Sequence, residues 1–341
     1  MSTLLRETPY PYPERVPGDE RSAGNSPAHP LPRLAIVVPC YDEEEALPHT
    51  AERLTTLLER LRKAARIAVD SRIIFVDDGS RDRTWQLIEE LSRQDGRIGG
   101  IKLSRNRGHQ NALLAGLFTT EGDVLVSVDA DLQDDVEIIE DMLKQHAQGA
   151  HVVYGVRDDR SSDGMLKRAS ALTFYRMIRT LGVDAVYNHA DFRLLSRRAV
   201  DALKGFGEVN LFLRGIVPLI GFNSSVVYYT RTERVAGVSK YPLRKMLALA
   251  LDAVTSFSVV PLRMISALGF IVFLLSAGMG VWTLWVRLFT DRAVPGWTST
   301  LLPIYALGGV QILCTGVLGE YLGKVYQETK HRPRYIIEKV L

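Results

Sequence analysis

Five short runs rich in β-branched and aliphatic residues, at 34–38, 72–76, 100–103, 124–128 and 151–154, recur along this chain, each parted from the next by a helix-length segment. Parallel strands need a crossover of a dozen or more residues, usually a helix, and the connections here are long enough for right-handed ones. The intervening segments at 44–62, 83–93, 109–119 and 134–145 place Leu or Ile at three-to-four-residue spacing, as amphipathic helices do. The pattern predicts an α/β domain with a mostly parallel sheet. A mixed section at 167–229 is expected to finish the sheet and cover the site. Ahead of the domain, residues 1–33 carry seven prolines among charged and small polar residues with no apolar period. They read as a disordered tail, without the apolar core of a secretory signal.

In doubly wound sheets ligands sit outside the carboxyl ends of the strands, and the first four runs all end in polar or acidic residues. Pro39, Tyr41, Glu43 and Glu44 follow the first, Asp77, Asp78 and Ser80 the second, residues 104–108 the third, and Asp129, Ala130, Asp131, Gln133 and Asp134 the fourth. Singly, each is also what a turn or a helix N-cap looks like; four in register on one edge point to a site. Asp129 and Asp131, with Gln133 beyond, offer oxygen ligands suited to Mg2+ or Mn2+, which is usually held by one or two carboxylates plus substrate phosphates. A bare DxD recurs by chance; the apolar run before it and the carboxylates Asp77 and Asp78 give it weight. A cation there would stabilise the charge that develops on a nucleotide diphosphate as its bond to a sugar breaks.

Charged residues are frequent up to Arg263 and nearly vanish until Glu320. Residues 264–286 and 293–319 hold long uncharged stretches, and roughly 20 apolar residues suffice for a helix to cross the hydrocarbon layer. Two membrane crossings are expected within 263–323, with a buried helical hairpin as the competing reading. Arg244, Lys245 and Arg263 precede the first, and Lys324, Lys330, Arg332, Arg334 and Lys339 follow the second. Basic flanks stay inside, so the catalytic domain, both termini and a basic tail at 324–341 are expected on the cytoplasmic face of an inner or plasma membrane. The stretch 242–258 within a juxtamembrane region at 236–262 reads equally as an interfacial helix or as a core helix. Neither span carries an ionisable residue at mid-depth, which disfavours a channel or transporter.

Other classes are excluded more simply. A net charge of +3 is too weak for a nucleic-acid footprint. Two cysteines, Cys40 and Cys314, make no disulfide framework. The seven histidines form no HExxH cluster, no GxSxG offers a covalent nucleophile, and no Walker-type loop is present. His109 is read as capping or lining its helix start.

The ladder VVPCYDEE, FVDDGS, LSRNRGHQNALLAG and VDADLQDDVE, continued by ADFRLLSRRAV, RVAGVSKYPLRKM and YLGKVYQETKHRPRY, resembles family-two glycosyltransferases of the GT-A fold. Within them it is similar to the polyprenyl-phosphate glycosyltransferases, the group of bactoprenol glucosyltransferases and dolichol-phosphate mannose synthases. The resemblance implies a GT-A, Rossmann-like nucleotide-sugar-binding domain at 34–235 followed by two transmembrane helices. It makes Pro39, Tyr41, Glu43, Asp77, Asp78, Asp129, Ala130 and Gln133 donor contacts, with Asp129, Asp131 and Gln133 the metal and diphosphate set. Lys167, Arg168, Arg193, Arg231 and Ser239 would meet the acceptor phosphate, with Arg234 and Lys240 acting with Asp131 and Asp191 in catalysis; a generic positive-inside surface is the alternative for the basic residues. Asp191 matches the position of a candidate base. A phosphate monoester is largely a dianion near neutrality, so Asp191 either takes a proton or orients Arg193 or the sugar.

The reaction this implies is inverting transfer of one hexose, UDP-glucose being the leading donor, to undecaprenyl phosphate for cell-envelope glycan modification. GDP-mannose, UDP-galactose and UDP-N-acetylglucosamine stay open as donors. A processive synthase would show QxxRW, and no tryptophan here follows an arginine. A non-catalytic membrane scaffold would not need the acidic set. Small residues such as Gly269, Gly278, Gly308 and Gly316 permit close helix contacts within or between chains, and the resemblance suggests a homotetramer.

Overall fold

The computed structural model describes residues 30–157, 189–208, 213–229, 260–289 and 297–341. Most of the Pro-rich head, residues 158–188, and residues 230–259, which hold the expected interfacial stretch, lie outside the described residues. From Pro32 onward the chain is one compact unit.

The five apolar runs become β1 (Leu34–Cys40), β2 (Arg72–Asp77), β3 (Ile98–Leu103), β4 (Val124–Ser127) and β5 (Val152–Arg157). Between them lie α1 (Leu47–Lys63), α2 (Thr84–Gln94), α3 (His109–Thr119) and α4 (Ile139–Ala147). Then come β6 (His189–Ser196), α5 (Arg197–Lys204), α6 (Leu213–Leu219) and β7 (Ser224–Tyr229). The long helices α7 (Val260–Phe289) and α8 (Trp297–Thr329) and the short β8 (Ile337–Val340) complete the order.

One eight-stranded sheet runs in the order β7-β5-β6-β4-β1-β2-β3-β8. Its heart, β4-β1-β2-β3, is parallel, as the crossover spacing predicts. β6 pairs antiparallel with both β4 and β5, so the described part of the section 167–229 does finish the sheet. Strand alternation divides the core into two layers. Leu34, Ile36 and Val38 of β1 face α1, α2 and α4, whereas Ala35 and Val37 face α3, α5 and α6. Strands buried on both faces need continuous apolar runs, and every residue of β1 is buried.

Helix starts differ from the sequence expectation for identifiable reasons. α1 begins at Leu47, three residues late, because Pro48 fits only the first turn and Glu44 spends its carboxylate on the Arg83 N–H at 3.1 Å. α4 is preceded by a 3-10 turn at Val136–Ile138 whose cap Asp135 accepts from the Glu137 N–H at 3.1 Å. The tail 324–341 is not a free extension. α8 runs through to Thr329, and β8 then adds antiparallel to the β3 edge, with Lys102 and Glu338 paired at 3.0 Å.

α7 has 30 residues and α8 has 33, and large apolar side chains such as Phe270, Leu275, Trp282 and Ile312 are exposed on them. Among the described residues, however, no helix is long and apolar enough to cross a membrane. The two expected crossings are therefore not shown by the fold.

α3 lies unusually close to the sheet. A Cβ at Gly116 would stand 2.3 Å from Val37 Cγ1 and 2.8 Å from Val76 Cγ2. The site segment 104–110 leads into this helix, so its seating matters downstream. Replacing Gly116 by valine is expected to cost about 1–3 kcal/mol through overpacking, read as a lower melting temperature of the purified protein; an unchanged melting temperature would contradict the close approach.

Candidate active site

The carboxyl ends of β1, β2 and β4 open on a cleft of about 510 Å³. Parallel pairing puts Cys40 of β1 beside Asp77 of β2, so the polar residues that follow these strands are neighbours by register. Pro39, Tyr41, Glu43, Asp78, Asp129, Ala130, Asp131 and Asp191, all expected from the sequence, line this one cleft. Asn106, His109, Gln110 and Arg214, of which the sequence predicts no ligand contact, line it as well. The loop after β3 carried a visible polar signal for the first three. Arg214, in an aperiodic section 23 residues beyond Asp191, carried none.

Some residues stand behind the wall. Asp77 is fully buried; its Oδ1 accepts from the Ser80 N–H at 3.1 Å and its Oδ2 has no hydrogen-bond partner. Burial pushes its carboxyl up, against hydrogen bonds from Ser80. Asp78 accepts from the Arg107 N–H at 2.7 Å and the Gly108 N–H at 2.8 Å, which fastens the turn before α3 to the end of β2. The two turns press together so closely that a Cβ at Gly79, where φ is +71°, would lie 2.6 Å from the Arg105 carbonyl carbon.

The segment after β4 is built as a bracket for two carboxylates. Thr50 donates its hydroxyl to the Ala130 carbonyl at 2.6 Å, and Tyr229 donates to Asp134 Oδ1 at 2.5 Å. Leu132 takes a φ of +44° between them, a left-handed conformation rare for a bulky side chain. Gln133, expected as a metal ligand, is a correction. It is buried, and its side-chain amide donates to Asp131 Oδ2 while its N–H lies 3.3 Å from Asp131 Oδ1. Gln133 therefore holds Asp131 from behind.

Arg193, expected at the acceptor phosphate, is the second correction. Only 2% of its side chain is exposed, too little to meet a ligand. Its Nη2 donates to Asp191 Oδ1 at 2.6 Å and its Nη1 to the Leu213 carbonyl at 3.3 Å. Asp191 is met from the cleft side by Arg214, at 3.4 Å from each carboxylate oxygen, and by His109 Nε2 at 4.0 Å. Burial alone would raise the Asp191 carboxyl, but Arg193, Arg214 and His109 outweigh it and hold the group well below the usual carboxylate range. A carboxylate that gives up its proton so readily is a poor base and a good anchor. Lys167, Arg168, Arg231, Arg234, Ser239 and Lys240 lie outside the described residues.

Asp129 is the opposite case. Burial pushes its carboxyl up to about 6; His109, 3.5 Å away, opposes, and the like charges of Asp191, Asp134 and Asp131 add. The side chain keeps 39% of its surface open to the cleft, so solvent moderates the rise. Such a carboxylate gains most from a bound cation. Among the described residues no three His, Cys, Asp or Glu side chains converge as a metal site. Asp129 and Asp131 nonetheless fit an ion whose remaining ligands are substrate phosphates and water.

Residues 35–204 match the family described as Glycosyl transferase family 2. The chain is 47% identical to an uncharacterized glycosyltransferase, YkoT, of Bacillus subtilis over 90% of its own length and 91% of the relative's. It is 40% identical to a bactoprenol glucosyl transferase of Shigella phage SfX, over 90% and 99%. A prophage bactoprenol glucosyl transferase homolog of Escherichia coli is 38% identical over the same shares.

Replacing Asp191 by asparagine leaves a buried guanidinium without its counter-charge, which should destabilise the fold by roughly 3–5 kcal/mol. The pairing is complete above an ordinary carboxylate pKa of about 4 and is lost only as pH falls through the lower folded value. The gap in denaturation midpoint between wild type and D191N should therefore stay level from about pH 5 to about pH 8. A gap that closes between those limits would mean Asp191 titrates there.

Proposed function

Because the chain belongs to glycosyl transferase family 2, we propose that it transfers a single hexose from a nucleotide-sugar, UDP-glucose in the first instance, to a polyprenyl phosphate such as undecaprenyl phosphate. The observation that carries this reading is the cleft itself: it is lined together by Asp129, by Asp131 and by Asp191, which two arginines meet. The names borne by the phage and prophage relatives supply the acceptor.

The chemistry asks little proton transfer of the protein. An acceptor phosphate oxygen, already anionic near neutrality, forms the bond to the anomeric carbon. The bond from that carbon to the diphosphate breaks, and its electron pair leaves with the nucleoside diphosphate. A divalent cation, Mg2+ or Mn2+, bound at Asp129 and Asp131 would supply the stabilisation of that leaving charge. Gln133 keeps Asp131 aimed, Thr50 and Tyr229 keep the bracket closed, and Asp191 orients rather than deprotonates. In-line displacement inverts the anomeric carbon, so an α-linked donor yields a β-linked lipid product. Asp77, expected as a donor contact, is fully buried behind the cleft wall and instead holds the turn after β2 through the Ser80 N–H.

A lipid acceptor calls for a membrane, and we read α7 and α8 as its two crossings. At about 1.5 Å per residue each exceeds the roughly 30 Å hydrocarbon layer. Support comes from the uncharged sequence at 264–286 and from the exposed Phe270, Leu275, Trp282 and Ile312; the reading takes in positions whose side chains lie outside the described set. Arg244, Lys245 and Arg263 around the start of the first span, with Lys324, Lys330, Arg332 and Arg334 around the end of the second, support a cleft on the cytoplasmic side.

The test is direct. Purified protein supplied with Mn2+, undecaprenyl phosphate and a panel of nucleotide-sugars should form one glycosylated lipid and release UDP. Chelation, or Asp131→Ala, should lower turnover by about a hundredfold or more. Release of GDP would overturn the donor, wild-type turnover in D131A would overturn the metal site, and no glycolipid from any donor would overturn the acceptor.

A further inference from the structure

Asp129, His109, Asp191 and Arg214 form a chain of contacts across the cleft, and its last member has no assigned role. Arg214 is placed by construction. The Leu213 N–H donates to Gln110 Oε1 at 3.0 Å and the Leu213 carbonyl accepts from Arg193 at 3.3 Å, so the residue just before Arg214 is fixed on both sides, by α3 and by β6.

The charges are unevenly shared. Arg193 engages Asp191 at 2.6 Å in the interior, whereas Arg214 approaches the same carboxylate only to 3.4 Å and keeps 40% of its side chain exposed. Within this cluster two guanidinium groups meet one carboxylate, and the arginine with open surface is the one at the cleft. Among the described lining residues Arg214 is the only arginine or lysine; the rest of the charged wall is Glu43, Asp78, Asp129, Asp131 and Asp191. Among the described lining residues an anion meets a fixed positive charge at Arg214, and Asp129 and Asp131 would attract one only with a cation bound. Two anions must enter for the reaction proposed above, and Asp129 and Asp131 would hold the cation that serves the donor diphosphate. Guanidinium forks match phosphate oxygens in pairs.

We infer that Arg214 binds the phosphate monoester of the acceptor, with Asp191 as the backstop that holds its guanidinium at the cleft wall. This rests on the glycosyl-transfer reading and adds to it a described contact for the acceptor. It also explains why Asp191 is flanked by two arginines: Arg193 fixes the carboxylate, and the carboxylate aims Arg214.

The experiment compares full-length wild type, Arg214→Gln and Arg214→Lys with undecaprenyl phosphate and the nucleotide-sugar that wild type uses. R214Q should raise KM for the lipid phosphate by about 10- to 100-fold, the worth of a charge-assisted pair. R214K, with charge but no fork, should fall between the two. KM for the nucleotide-sugar and donor hydrolysis without acceptor should hold within about threefold. An unchanged lipid KM, or a rise confined to the donor, overturns the inference. Should R214Q melt far below wild type, R214K decides: a lipid KM equal to that of wild type overturns it. If wild type itself glycosylates no lipid, the proposed reaction fails, and the contact is judged by native mass spectrometry in detergent. Wild type should then retain undecaprenyl phosphate over undecaprenol and R214Q should lose that preference; equal retention overturns the contact.

Discussion

The parallel pairing of β1 with both β2 and β4 is the constraint on which the site depends. Parallel neighbours end on the same side, so three strands from distant parts of the sequence deliver their following residues to one edge. The apolar runs drive this, since a strand buried on both faces is stable only as an inner member of a sheet covered by helices on each side. Once β1 lies at the centre, Tyr41, Asp78 and Asp129 have little choice of location. The antiparallel β6, docked on β4 with Arg193 opposite Ser127, adds Asp191 to the same edge from a separate part of the chain.

Electrostatically the cleft is divided. Asp191 is stabilised as an anion by arginines on two sides, and Asp129 is left short of positive charge. The two carboxylates share His109 as a neighbour, yet their proton affinities are driven in opposite directions. For the transfer proposed, this separation would leave Asp191 as a fixture and Asp129 as a ligand. A nucleophile that arrives already charged, as proposed, would need no general base.

Much of this was legible in the sequence. Period and crossover length gave β1 to β5 and the helices between them, because local hydrophobic pattern and sheet burial agree there. The residues after β1, β2 and β4 were legible as a site because strand ends are where such sheets bind ligands. Gln133 and Arg193 were placed on the wrong side of the wall: residue type announces chemistry, but only packing decides whether a side chain faces ligand or supports a neighbour. Arg214 and β8 were invisible for a related reason. Each is positioned by contacts remote in sequence, Arg214 through Gln110 and Arg193, and β8 through a sheet edge more than 200 residues earlier.

That late strand constrains motion as well as shape. β8 is hydrogen-bonded to β3, and only residues 330–336 separate it from the end of α8. A fully extended leash of that length spans no more than about 30 Å. The sheet edge is therefore moored within that distance of the end of the second long helix. Were α8 to cross a bilayer as proposed, such a tether would set the height of the cleft above the lipid surface.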